Sequence, residues 1–484
     1  MAAFLFVLPF AGALAVLAAA SFRRALAAPL GLATLAAETA LAAAAFHHAL
    51  AQGALQVRFG GWAAPIGIEW SLEPLGAAMA ILVAAAAFLG LSASVANLRN
   101  EAGRSQGSFW ACALLLVGGL MGMIATADLF NFFVHLEIAS LAAYALTATG
   151  GPGAPRAALR YLIVGSMGAS LYLLGVGHLY AATGSLSLPD IAARLAGPAE
   201  PRLRDLGGAF VIAGLAVKMG LFPLHGWMPE AYSRCSAPAA TLMAPLVTKV
   251  AAFSLLRLLT ALYGADLSDG PSFYGTALKA LGTAAVVVGV IGAARDPELR
   301  RVFVYSSVAQ TGLVALGLAQ GNRWALAGSL LQIAADAAAK TALFASAAVA
   351  DLRFGARRVE DLPSVRGRMP WTSAAIAVAS LSLVGLPPLP GFFSKWYLLR
   401  AAVETGDVLL GAALAASTLG AIVYAFRLLE LLYLVPTPCE ATQREGPRSA
   451  ITAASAIAAA TIALGLTCGP LAALALRSTW GGGP

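Results

Sequence analysis

The chain has 484 residues, of which 60% are hydrophobic and 11% are charged, and its formal net charge is +8. A soluble globular domain is typically about 45–50% apolar and about 25% charged, so this composition excludes an ordinary water-soluble enzyme or binding module. Apolar runs recur along the whole chain, and nearly all of them reach the roughly 20 residues that a helix needs to cross a bilayer. The chain is therefore predicted to be an all-α integral membrane protein.

The apolar runs predict about fourteen transmembrane helices. In chain order they lie at 3–21, 27–50, 75–97, 108–126, 128–148, 158–182, 207–229, 238–263, 273–293, 301–320, 325–350, 371–399, 408–435 and 450–476. No basic segment precedes the first run, so we expect it to remain as a span rather than to act as a cleaved leader. Seventeen arginines lie in the odd-numbered connections and six in the even-numbered ones. The positive-inside rule then places the odd connections in the cytoplasm and both termini outside it.

Two of the predicted spans are interrupted by proline and glycine. The seventh span is broken within residues 218–229 and the twelfth within residues 385–395. Such residues remove backbone hydrogen bonds, which is tolerated at membrane depth only where protein or water satisfies the freed groups. The two breaks are five spans apart, which favours an inverted repeat of five helices around an ion path. A pair of ordinary proline kinks is the alternative.

All five lysines of the sequence fall inside predicted spans, whereas the arginines mostly occupy loops or span ends. The lysines are Lys218, Lys249, Lys279, Lys340 and Lys395. A buried lysine can exchange a proton, while arginine stays charged. Each lysine at the bilayer centre costs about 2.5–3.5 kcal/mol on insertion scales, so these lysines need partners or water.

Acidic residues inside the spans provide candidate partners. Glu137 and Lys218 form a natural acid–base pair, and the alternative is a structural salt bridge without a transport role. Asp336 and Lys340 are four residues apart on one helix face, so an intrahelical pair that neutralises itself is equally open. Lys249 lies too deep in its span to reach the surface easily, although inert burial is its alternative.

The remaining ionisable residues are assigned by position. Lys395 follows the second break, and we expect it to take part in the same path. Lys279 lies near the outer end of its span, so we expect its ammonium to reach the membrane surface. His225 lies at the first break and is a candidate proton relay, because the unperturbed pKa of histidine is near 6.5.

Other kinds of site find no support in the sequence. The four cysteines show no CxxC or Cys/His spacing, so neither a zinc site nor an iron–sulfur site is predicted. No nucleophilic triad, phosphate loop or dinucleotide turn is present, and we predict no catalytic residue and no cofactor in this chain. The positive charge is explained by loop arginines and membrane topology, so no nucleic-acid partner is expected.

At these residues the chain resembles the antiporter-like family shared by respiratory complex I, Mrp-type cation/proton antiporters and membrane-bound hydrogenases. The similarity runs from the third predicted span through the thirteenth. It is carried by the hairpin segment 60–70, by segments 128–137, 218–232, 301–312 and 385–395, and by Lys249. The family usually has histidine four residues before the position of Lys340, where this sequence has Asp336.

The resemblance implies a fold of fourteen helices with two inverted five-helix repeats. We therefore predict an N-terminal three-helix region with an outer hairpin (1–106), a first repeat (107–265), a second repeat (266–436) and a C-terminal helix (437–484). In the family, protonation is thought to pass along a polar axis, here Glu137, Lys218, Lys249, the Asp336–Lys340 region and Lys395, between two half-channels. Pairing of Glu137 with Lys218 would gate proton loading.

The resemblance also implies a function and partners. We expect a proton or cation/proton translocating subunit of a multisubunit complex in the bacterial inner membrane, with other membrane subunits and the lipid bilayer as its partners. Protons are the expected ion, and Na⁺ or K⁺ stays open. Chain length and the segment 128–131 favour the D-type component of Mrp antiporters. The alternatives are a proton-pumping subunit of a NADH:quinone oxidoreductase or hydrogenase complex, a stand-alone solute transporter and a non-conducting scaffold.

Overall fold

The described residues of the chain are almost entirely helical. The structure is a computed structural model that describes residues 2–101, 106–196, 201–264, 273–436, 445 and 447–477. Cys439 and the predicted segment starts at 266 and 437 lie outside the described residues. Within them, eighteen α-helices are joined by short connections, and two short strands form a sheet. The predicted all-α class is confirmed.

The first half of the chain contains ten helices and the hairpin. The helices are α1 (Ala2–Phe22), α2 (Ala27–Gln52), α3 (Pro74–Glu101), α4 (Gln106–Ala125), α5 (Leu129–Thr147), α6 (Ala154–Thr183), α7 (Leu188–Leu195), α8 (Pro201–Met219), α9 (Met228–Arg234) and α10 (Ala237–Tyr263). Between α2 and α3, strands β1 (Leu55–Arg58) and β2 (Glu69–Leu72) pair antiparallel, as the predicted hairpin requires. The Asp128 carboxylate accepts a hydrogen bond from the Asn131 N–H at 2.6 Å, and this cap fixes the start of α5.

The second half of the chain contains eight helices. They are α11 (Phe273–Arg295), α12 (Leu299–Gln320), α13 (Arg323–Phe354), α14 (Pro370–Val384), α15 (Pro390–Thr405), α16 (Val408–Tyr433), α17 (Arg448–Leu466) and α18 (Cys468–Arg477). Helix α13 is the longest, at 32 residues, and its first turn is capped by the Asn322 side chain, which accepts a hydrogen bond from the Ala325 N–H at 2.8 Å. It packs against α10, α12, α14 and α15, so it runs through the middle of the bundle.

Both predicted breaks are present. Between α8 and α9 the chain forms a turn that ends in a short 3₁₀ segment, Leu224–Trp227, and between α14 and α15 it leaves helical geometry at Gly385. Gly220 and Gly385 have φ values of 68° and 96°, in the left-handed region that glycine enters without steric strain. The breaks therefore depend on glycines at the ends of α8 and α14 as well as on the prolines.

The span count agrees with the predicted fourteen. In the part of the chain that the structure describes, thirteen helical segments are long and apolar enough to cross a membrane, with α8 and α9 counted as one. The broken pair α14–α15 supplies the remaining span. In α10 and α12, 94% of the most apolar stretch is buried, compared with 33% in α1, α2 and α11. Helices α10, α12 and α13 therefore form the centre, and the boundaries proposed for the two repeats remain a prediction.

Candidate functional site

The first predicted pair is formed at the end of α8. Lys218 is the second-last residue of α8, and its Nζ lies 3.9 Å from Oε1 of Glu137 on α5. The same ammonium donates to the Ser140 hydroxyl at 2.7 Å and the Tyr144 hydroxyl at 3.3 Å. Lys218 is buried, whereas 28% of the Glu137 side chain is exposed. The pair thus joins a buried lysine to a partly exposed carboxylate on α5.

Three charged residues meet at the centre of the bundle, and we call Lys249, Asp336 and Lys340 the central cluster. The Lys249 Nζ lies 2.7 Å from Asp336 Oδ2, and the Lys340 Nζ lies 3.3 Å from Asp336 Oδ1. All three side chains are at most 4% exposed. The intrahelical Asp336–Lys340 contact is present, but the pair is not self-contained, because packing of α10 against α13 also brings Lys249 to the shared carboxylate at a shorter distance.

Hydroxyl and carbonyl groups complete the surroundings of the central cluster. The Lys249 ammonium donates to the Ser307 hydroxyl at 3.1 Å, the Thr248 hydroxyl at 3.2 Å and the Ala244 carbonyl at 3.2 Å. The Lys340 ammonium donates to the hydroxyl of Ser306. Charge-assisted hydrogen bonds of this kind are stronger than neutral ones and stabilise buried ammonium groups. Two consecutive serines of α12 therefore accept hydrogen bonds from the two lysine ammonium groups.

Lys395 is stabilised in a different way. It lies in the second turn of α15, and its ammonium donates to the Leu383 and Val384 carbonyls at 2.9 and 3.0 Å and to the Thr418 hydroxyl at 3.2 Å. The two carbonyls belong to the last turn of α14, where no further helical N–H is available to them. Among the described residues no carboxylate forms a salt bridge with Lys395. The second break thus binds a lysine through the negative end of a helix dipole.

Two predicted positions lie apart from these contacts. His225 is half-buried in the first break, 5.6 Å from the ring of Phe222, and its Nδ1 forms no hydrogen bond within the described ranges. Lys279 does not simply extend to the surface: its Nζ lies 2.7 Å from Asp407 Oδ2, and the Asp407 carboxylate also caps the first turn of α16. Lys279 is therefore a half-exposed ion-paired residue at the edge of the bundle.

A polar vestibule lies at the end of the bundle where the odd-numbered connections meet. Its volume is about 670 Å³, and its walls carry the ion pairs Arg234–Glu298 and Arg300–Asp351, each at 3.6 Å. Ala347 on α13 also lines it. Lys340 is seven residues from Ala347 on the same helix, which corresponds to about 10 Å. Water in the vestibule would therefore come within two helical turns of the central cluster.

Comparison with known proteins identifies the family of the chain. The sequence profile described as "NADH:quinone oxidoreductase/Mrp antiporter, TM" matches residues 126–420, which include every lysine and acid of the sites above. The chain belongs to this family. Within the family it is 45% identical over 393 residues to the N subunit of NADH-quinone oxidoreductase from Desulforudis audaxviator (strain MP104C), with 80% of this chain and 77% of that protein covered.

Two further members of the family place the chain among multisubunit assemblies. It is 29% identical over 361 residues to the D-type component of the Na⁺/H⁺ antiporter from Alkalihalophilus pseudofirmus (strain ATCC BAA-2126 / JCM 17055 / OF4), covering 74% of this chain and 72% of that protein. A chain of the membrane-bound sulfane sulfur reductase, an archaeal respiratory membrane complex, superimposes with a TM-score of 0.90 at 29% identity, covering 99% and 96% of the two chains. The predicted family is confirmed, and its relatives include components of both an oxidoreductase and an antiporter.

The family site contains polar residues that the sequence did not single out. The Gln332 amide donates to the Gln310 side-chain carbonyl at 2.7 Å, and the Gln332 carbonyl accepts from the Ser394 hydroxyl at 2.7 Å. These bonds link α12, α13 and α15 beside the central cluster. Gln310 lies in a segment that carries the family resemblance, and Gln332 precedes Asp336 by one helical turn. Helical spacing from Asp336 is therefore the signal that could have identified Gln332.

Proposed function

We propose that this chain is a proton-translocating membrane subunit of a multisubunit complex. Protons would move from the Glu137–Lys218 pair through the central cluster to Lys395. The observation that carries the proposal is the central cluster itself, in which two buried lysines share the carboxylate of Asp336. Groups that exchange protons at membrane depth are expensive to insert and are by default a sign of an ion path.

The arrangement of the two breaks supports two half-channels. We infer that the repeat 107–265 supplies the α8–α9 break with Lys218, and that the repeat 266–436 supplies the α14–α15 break with Lys395. Each lysine lies within two turns of its break, where backbone carbonyls and water can take part in proton transfer. Helix α10 packs against α8 and helix α13 packs against α15, so we place the central cluster between the two breaks. His225, half-buried in the first break, is proposed as a relay to the solvent.

The orientation of the chain follows from its charges. We propose that the odd-numbered connections face the cytoplasm and that both termini face the opposite side, because seventeen arginines lie in those connections. The polar vestibule then opens to the cytoplasm. Labelling of a cysteine introduced at Arg358 by a membrane-impermeant reagent tests this orientation. Labelling in inside-out vesicles but not in intact cells is expected, and the reverse would overturn it.

The relatives support assembly with other membrane subunits. Proteins named as subunits of NADH-quinone oxidoreductase and of a Na⁺/H⁺ antiporter match this chain over about three quarters of its length. The higher identity to the oxidoreductase subunit and the likeness to an archaeal respiratory complex favour a redox-driven complex as the second candidate, beside gradient-driven antiport. In either case the driving reaction would belong to partner subunits.

Proton flux through the reconstituted complex tests the proposal. Glu137→Gln and Lys218→Met each remove one member of the loading pair, and Lys279→Met removes a lysine at the edge of the bundle as the matched control. We expect both axis variants to lose proton uptake into proteoliposomes while the control retains it. Normal uptake by both axis variants in a fully assembled complex would overturn a conducting role. Migration of the purified native chain as a lone monomer would overturn the multisubunit assignment.

A further inference from the structure

Buried hydroxyl groups without a hydrogen-bond partner concentrate on two helices, α14 and α16. In the described part of the chain nine buried side-chain hydroxyls form no hydrogen bond, and five of them belong to these helices: Ser373, Ser380, Ser382, Ser417 and Tyr424. Each of the five is at most 3% exposed. Buried polar groups are nearly always paired with protein or ordered water, so a group of unpaired hydroxyls indicates places for water.

Tyr424 connects this set to the central cluster. Its hydroxyl lies near the side chains of Ser306 and Gln310, but it has the geometry of a hydrogen bond to neither of them. Ser306 accepts the hydrogen bond of the Lys340 ammonium. The Tyr424 hydroxyl is therefore separated from a cluster lysine by one serine, and it is free to pair with water.

Ser417 connects the same set to Lys395. Its neighbour Thr418 accepts a hydrogen bond from the Lys395 ammonium at 3.2 Å. Ser417 and Tyr424 are seven residues apart and hence on the same face of α16, separated by about 10 Å along its axis. A chain of two or three water molecules bridges such a distance.

The α14 side of this region is also polar at the break. Ser382 precedes by one residue the first of the two carbonyls that bind Lys395, Leu383 and Val384. A methyl group placed on Gly391 would meet the Ser382 hydroxyl oxygen at 3.4 Å, so this hydroxyl lies against the start of α15. Helices α14 and α16 are in contact. Unpaired hydroxyls are thus present at both ends of the interval between Lys340 and Lys395.

We propose that Tyr424 and Ser417 line a hydrated connection between the central cluster and Lys395, with Tyr424 as its proton-accepting end. This inference rests on the proposed function and names the residues of one segment of the path. The Lys340 ammonium gives a proton to Ser306, whose own hydroxyl proton leaves the Phe303 carbonyl and passes through a water molecule to Tyr424. The Tyr424 hydroxyl proton then passes through water to a neutral Lys395 amine. Each hydroxyl accepts one proton and releases one, so Lys340 ends neutral and Lys395 ends as ammonium.

The substitution Tyr424→Phe tests the connection, because it removes only the hydroxyl and keeps the ring that fills the core. Tyr433→Phe, at the exposed end of the same helix, is the matched control. We expect Tyr424→Phe to lower proton flux through the assembled complex by roughly tenfold to a hundredfold, at or below the usual contribution of a positioned proton-transfer group. The control should conduct normally. Normal flux with Tyr424→Phe would overturn the proposal.

A second pair of variants covers the case in which Tyr424→Phe disturbs assembly. Ser417→Ala should lower the proton flux and Ser373→Ala should not, although both variants remove a buried unpaired hydroxyl. Ser373 is the control because it lies near the start of α14, at least seven residues before Ser380 and Ser382. A high-resolution cryo-EM map of the assembled native complex should show ordered water at Tyr424 and Ser417, and a dry gap there would overturn the connection.

These outcomes separate the two proposals. Loss of flux in Lys218→Met together with normal flux in Tyr424→Phe would overturn this connection and leave the translocating function in place. Normal flux in both variants would overturn the function and the connection together.

Discussion

The Glu137–Lys218 pair and the central cluster are built from the same residue types, but they differ in packing. In the pair, the charged atoms are 3.9 Å apart and 28% of the Glu137 side chain is exposed. In the central cluster, the shorter contact is 2.7 Å and the Asp336 side chain is 4% exposed. Two ammonium groups share one carboxylate there, while the pair is balanced one to one.

We interpret the Glu137–Lys218 pair as a loading site for protons and the central cluster as a storage site, in which charge is held more tightly. A carboxylate 3.9 Å from its lysine attracts it weakly, so the pair can separate at little cost while the Lys218 ammonium keeps its hydrogen bonds to Ser140 and Tyr144. The buried Asp336 carboxylate cannot separate from its two lysines at such a low cost, because uncompensated charge would then remain in the protein interior. Four substitutions, in order of decreasing expected effect, test whether the two sites differ in this way.

The largest effect is expected for Asp336→Leu. Both Lys249 and Lys340 lose the carboxylate that they share, and breaking a buried ion pair from one side costs roughly 3–5 kcal/mol. We expect a strongly reduced yield of assembled complex and a large fall in its thermal unfolding temperature, measured by tryptophan fluorescence. Asp336→Glu, which keeps the charge, is the control and should recover most of the yield. Equal stability of Asp336→Leu and the native protein would refute the storage site.

A smaller loss is expected for Lys340→Leu. The Lys249–Asp336 contact at 2.7 Å remains and is balanced in charge. The Ser306 hydroxyl loses one partner but still donates to the Phe303 carbonyl at 2.8 Å, so the loss should be about 1 kcal/mol. Thermal unfolding of this variant beside Asp336→Leu measures the difference. A loss as large as that of Asp336→Leu would show that the cluster depends on both lysines equally.

For Glu137→Gln we expect the free energy of unfolding to fall by less than about 1 kcal/mol, because the contact with Lys218 is long, at 3.9 Å. Lys218 keeps its hydrogen bonds to Ser140 and Tyr144. Proton flux should nevertheless fall, since the amide cannot exchange a proton as the carboxylate does. Parallel measurements of thermal unfolding and of proton flux show whether Glu137→Gln affects conduction more than stability. A destabilisation as large as that of Asp336→Leu would place Glu137 in a structural role.

The smallest effect is expected for Lys279→Met. This variant removes an ion pair with Asp407 at 2.7 Å in which 36% of the lysine side chain is exposed, so the cost should lie below about 1 kcal/mol. Unlike Glu137→Gln, it should leave proton flux unchanged in the same vesicle assay. A loss of flux here would show that the conducting path extends to the outer edge of α11.

Local pattern was enough to predict much of this site. The breaks were evident from glycine and proline, and the mid-span positions of Glu137 and Lys218 were evident from hydropathy. The sequence does not show that Lys249 and Lys340 share the Asp336 carboxylate, because this contact depends on how α10 packs against α13, and these two helices are far apart in sequence. The partner of Lys279 is 128 residues away and follows from tertiary structure alone.

The sequence also does not predict which hydroxyls of α14 and α16 lack hydrogen-bond partners. A serine inside a membrane span often bonds to its own helix backbone, as Ser140 does to the Leu136 carbonyl at 2.6 Å. Only the folded chain shows that Ser417 and Tyr424 have no such partner within its described part. The role that we propose for them therefore rests on unpaired hydroxyls in the folded chain and not on a sequence motif.

Proton uptake by proteoliposomes containing the assembled complex tests whether the buried lysines conduct in series. The three variants to compare are Lys218→Met, Lys249→Met and Lys395→Met, with Lys279→Met as the control. One continuous path predicts that each of the three reduces the uptake to the same low level while the control stays at the native rate. Native uptake in Lys249→Met together with loss in the other two would contradict a path through the central cluster.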